Sequence, residues 1–135
     1  MKVTRAEIAE LLRRWGAGKL AARDVRDWAQ TRYWPGEVEF DDLEGDGSSA
    51  ACEALAALDQ LPMNVILSED VPLYLAFLST PVGKFESGYE RLRSALDQID
   101  YSARRRALSN DDFYGPFCRC EKPTEPGAAP DRGGL

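Results

Sequence analysis

Apolar residues in this chain recur at helical spacing over most of its length, and that periodicity constrains the fold more than any other feature. Ile8, Leu11, Leu12 and Trp15 fall at i, i+3, i+4 and i+7, directly after Thr4-Arg5-Ala6-Glu7. That tetrapeptide has the form of a capping box, with Val3 before the cap and Ile8 placed to close a hydrophobic staple. Gly16 and Gly18 supply the stop. A second helix is expected from Ala21 to Tyr33, with Ala21, Val25, Trp28 and Ala29 inward, although no Ser, Thr, Asp or Asn precedes it as a cap. A third runs from Ser49 to Leu61 with Ala51, Cys52, Leu55 and Leu58 inward, closed by Pro62.

Ser68 is placed to cap a fourth helix, with Glu69 and Asp70 in its positive first turn and Pro72 early enough to be tolerated. From Val71 to Leu78 every residue except Pro72 is apolar, so this helix is expected at the centre of the core. A fifth spans Lys84 to Asp100, where Phe85, Tyr89, Leu92, Leu96 and Ile99 share one face. Gly88 inside it costs on the order of 1 kcal/mol relative to alanine, which points to a close helix contact at that position. Tyr101 to Leu108 adds a short basic helix. The fold class is therefore all-α, a single domain of about five helices over residues 1–112, with residues 113–135 an irregular, Pro- and Gly-rich flexible tail.

The charge is distributed unevenly. The segment 37–46 holds six of the 23 acids and none of the 17 bases, which leaves the remainder of the chain neutral and assigns the whole net charge of -6 to one stretch. Val38 and Phe40 alternate with Glu37, Glu39 and Asp41 in a strand-like pattern that has no evident partner. The segment therefore reads as an extended acidic loop between helices two and three, pinned by Val38, Phe40 and Leu43. Residues 1–32 contain eight bases against four acids, so Arg13, Arg14, Arg23, Arg26 and Arg32 are candidates to face it within the fold.

The acidic block admits two further readings. Asp42, Glu44, Asp46 and Glu53 occupy positions 1, 3, 5 and 12 of a twelve-residue window, with Gly47 at position 6, the spacing of an EF-hand calcium loop. Ser49 departs from that pattern at position 8, and Pro35-Gly36 breaks the incoming helix. The other reading is a docking surface, in which Glu37, Glu39, Asp41, Asp42, Glu44 and Asp46 steer a basic partner while Trp34 and Phe40 anchor it. Trp15 and Trp28, on regular helix faces, are expected in the core. A third alternative is a homo-oligomeric structural protein that pairs the basic N-terminal region of one copy with the acidic segment of another.

Composition removes several function classes. The chain has no histidine, which excludes a Ser-His-Asp triad, a Cys-His pair and a His-ligated metal. Cys118 and Cys120 are one residue apart, the wrong spacing for a zinc knuckle. No phosphate-binding Gly-rich loop or nucleophile elbow is present, so no enzyme activity and no cofactor are expected. The acidic balance, with a pI near 4.7, argues against nucleic acid and anionic membranes as partners. Arg104-Arg105-Arg106 is too short a basic run to reverse that expectation. Charged residues interrupt any apolar run at the N-terminus, so a signal peptide is not expected and a cytoplasmic location is.

The segments Arg14-Trp15-Gly16-Ala17-Gly18-Lys19-Leu20, Val25-Arg26-Asp27-Trp28-Ala29 and Tyr33-Trp34-Pro35-Gly36-Glu37, with the acidic continuation, resemble small acidic helical immunity-type proteins of bacterial toxin systems. The resemblance spans residues 4–100 in general character and has no diagnostic motif. It implies a protein that neutralises a basic toxin by covering its working surface with carboxylates and aromatics. The six acids of 37–46 would then imitate phosphate charge, with Trp34 and Phe40 as anchors.

Overall fold

A computed structural model describes residues 1–33 and 37–119, and over these residues the protein is mostly helical. The chain divides into two compact units, one covering Met1–Ile99 and one beginning at Asp100.

The first unit is organised by local signals that the structure turns into helices. Helix α1 spans Arg5–Gly16, and its capping box is formed: the Glu7 amide donates to Thr4 Oγ1 and the Thr4 amide donates to Glu7 Oε1. Ile8, Leu11, Leu12 and Trp15 are buried along one stripe. Helix α2 spans Ala22–Tyr33 and lacks a hydroxyl cap, but Asp24 reaches back to accept from the Ala21 amide at 3.0 Å. Only Val25 and Ala29 of its expected inward face are buried; Ala21 is exposed and Trp28 half-buried. Helix α3, Ala50–Asp59, is capped by Ser49, which accepts from the Cys52 amide at 2.9 Å. It packs on α2, α1 and α4 with Ala51, Ala54, Leu55 and Leu58 buried, while Cys52 is half-buried.

Helix α4, Val71–Leu78, follows a single 3-10 turn at Ser68–Asp70. The buried Asp70 accepts from the Leu67 amide at 2.9 Å across the 3-10 turn that precedes α4, and Ser68 lies within that turn rather than capping the helix. The hydrophobic α4 packs against α1, α3 and α5, the last spanning Phe85–Leu96. At the α4–α5 contact, Phe77 meets Phe85 edge-on with ring centroids 5.9 Å apart, and Phe85 stacks on Tyr89 at 5.5 Å. Gly88 lies at this seam: a Cβ there would come within 2.2 Å of Thr80 Oγ1, so the absence of a side chain sets the approach.

A minimal parallel pair joins the N-terminus to the acidic segment. Strand β1, Lys2–Val3, pairs with β2, Glu39–Phe40, with Lys2 opposite Glu39 and Val3 opposite Phe40. The alternating segment therefore has a partner, and Val3 beneath it is fully buried.

The second unit holds α6, Tyr101–Leu108, and α7, Gly115–Arg119. Asp100 caps α6 by accepting from the Ala103 amide at 3.0 Å. Within the segment expected to be an irregular tail, residues 115–119 are helical; Pro116 sits in the first turn, where its missing N–H costs nothing. Seven α-helices are thus present among the described residues, against about five expected.

Candidate functional site

Asp42 occupies the interior, only 2% exposed, at the point where α1, α3 and the end of α4 converge. Its Oδ2 accepts from Arg5 Nε and from the Ala51 amide at 3.0 Å, and its Oδ1 accepts from Ser49 Oγ. The carboxylate thus lies at the positive N-terminus of α3 beside a guanidinium. Burial pushes its pKa up, but hydrogen bonds from Ser49, Arg5 and Ala51 and the Arg5 charge outweigh that, leaving the pKa below the ordinary aspartate value. The same guanidinium donates through Nη1 to the carbonyls of Leu78, at 2.9 Å, and Thr80. Arg5 therefore ties the acidic loop to the C-terminal end of α4.

Two neighbouring acids also serve the fold. Asp41 Oδ1 accepts from the Arg5 amide at 3.1 Å, in the first turn of α1. Glu44 Oε2 accepts from the Gly83 amide at 2.7 Å and from the Phe85 amide at 3.1 Å, which caps the start of α5. Within the loop, Glu44 N donates to Ser48 O and Gly47 N donates to Glu44 O, closing a turn in which Gly47 takes φ +91°. Asp46 accepts from the Ser48 amide at 3.0 Å, and that contact, followed by the Ser48 side chain, lowers its pKa.

What remains faces solvent. Glu37, Glu39, Asp41 and Asp46 are exposed, and Phe40 and Glu44 are half-buried. Leu43, expected to pin the loop inward, is 61% exposed. Asp42, proposed for the docking face, is instead an internal anchor. Trp34 lies outside the described residues.

Among the described residues the ion pair that the block makes is to Arg5, outside the five arginines expected. Arg5 forms the ion pair, whereas Arg13 reaches Glu10 at 3.5 Å, Arg26 reaches Asp27 at 2.8 Å, and Arg32 lies 4.0 Å over the Trp28 ring. Trp28 is accordingly not a core residue: it lines a groove of about 650 Å³ between α1 and α2, together with Leu11, Arg14, Leu20 and Arg32.

The calcium window does not assemble as a ligand set. Asp42 turns to Arg5 and Ser49, Glu44 to the start of α5, Asp46 to its own turn, and Glu53 lies on α3. No group of three or more metal-binding side chains gathers among the described residues. Cys52, beside this site, has its thiol pKa raised by burial and then by the negative charges of Glu53 and Asp42, which disfavours the reactive thiolate.

Sequence reasoning missed Arg5, Ser49 and the Glu44 bridge. Ser49 carried a usable signal as a helix-capping residue next to an acidic loop; Arg5, at the second position of the capping box, carried none. Among the described residues no helix is long and apolar enough to cross a membrane. Comparison with protein-family models, curated proteins and solved structures finds no match for this chain.

Proposed function

We propose that this chain is a non-enzymatic protein-binding module of the immunity-inhibitor type, presenting its acidic loop to a basic protein such as a toxin. The observation that carries this reading is the division of labour within the acidic block. Asp42, Asp41 and Glu44 bond to α1, α3 and the start of α5, so they hold the loop in one conformation. Glu37, Glu39 and Asp46 are exposed, and among the described residues the side-chain hydrogen bond found on them is the local one that Asp46 accepts from the Ser48 amide. A loop fixed before binding loses little conformational entropy on association, and concentrated like charge speeds the encounter with an oppositely charged surface.

The outward set is therefore smaller than the sequence suggests: Glu37, Glu39 and Asp46, with Asp41 also exposed and Phe40 half-buried. The partner expected is a protein rich in Lys and Arg, held at a site where carboxylates substitute for phosphate charge.

The test is capture of partners from the cells that make the protein, with the native chain and a Glu37→Gln, Glu39→Gln, Asp46→Asn variant in parallel. A partner that supports the reading is basic, binds the purified chain in a salt-dependent manner and is lost by the variant. A partner retained equally by the variant removes the loop from its proposed role.

A further inference from the structure

We draw no further inference here: the strongest candidate, the groove between α1 and α2 lined by Leu11, Leu20 and Trp28, also carries the carboxylates of Glu7, Glu10 and Asp24 beside the guanidiniums of Arg14 and Arg32, so its charge selects no occupant and nothing in the structure shows what covers it.

Discussion

The Arg5 guanidinium and the Asp42 carboxylate, 37 residues apart in sequence, meet inside the protein and join the start of α1 to the start of α3. The aspartate side chain is 2% exposed and the arginine 18%, so removing either leaves its partner charged and largely desolvated. Arg5→Ala and Asp42→Ala are each expected to cost about 3 kcal/mol, and the double variant less than the sum. Urea denaturation of the four proteins of this cycle measures the coupling. Additive losses would show that the pair acts as two independent contacts.

The same pair makes stability depend on acid. The pKa of Asp42 is lower in the folded protein than its ordinary value of 3.8, so its contribution is complete above that value and is lost as pH falls through the folded pKa. The stability difference between the native chain and Asp42→Asn is therefore expected to be constant near neutrality and to shrink below the ordinary aspartate range. Urea midpoints of both proteins from neutral pH to strong acid check this. A difference that shrank between neutrality and pH 5 would assign the acid sensitivity to another group.

Glu44 caps α5 from a distant loop, and its loss frees the amides of Gly83 and Phe85 together. Glu44→Ala is expected to cost about 1 kcal/mol, as for a lost helix cap, and to speed hydrogen exchange at both amides. Glu44→Gln, which keeps an acceptor oxygen, is expected to retain most of the protection.

Gly88→Ala sets two effects against each other. Alanine favours a helix interior by about 1 kcal/mol over glycine, but its Cβ would lie 2.2 Å from Thr80 Oγ1 and 2.7 Å from Thr80 Cγ2. Thr80 is 1% exposed, its amide donates to Phe77 O and its carbonyl is held by Arg5, so it has little room to yield. Overpacking of this kind costs about 1–3 kcal/mol and is expected to win. Thermal unfolding should show a lowered midpoint for Gly88→Ala and partial recovery when Thr80→Ala is added.

The elements that the sequence revealed are those whose signals are local. Thr4 and Glu7 specify the start of α1, and Ile8, Leu11, Leu12 and Trp15 specify its buried face, within twelve residues. Gly88 was legible as a close contact because a glycine within a helix needs a reason, although its partner Thr80 was not. The acidic block was legible as a charge excess but not as a structure, because charge carries no direction. Whether a carboxylate turns inward depends on Arg5, Ser49 and the amides of Gly83 and Phe85, which the chain brings together only on folding. Strand β1 is too short for any periodic signal, so the partner of Glu39-Phe40 is not legible in the sequence. Leu43 departs from expectation for a related reason: an apolar residue among acids suggests a pin toward the core, whereas the loop is held by the carboxylates of Asp41, Asp42 and Glu44. The α7 helix opens on Gly115-Pro116, a pair that reads as a breaker when only sequence is considered.

The most direct test of a loop anchored by its inner acids and recognised by its outer ones is the affinity of the Glu37→Gln, Glu39→Gln, Asp46→Asn variant for the captured basic partner, measured beside its urea midpoint. The expected result is binding weakened about tenfold or more with folding stability unchanged within about 0.5 kcal/mol. Native affinity in that variant would contradict the proposed role of the loop.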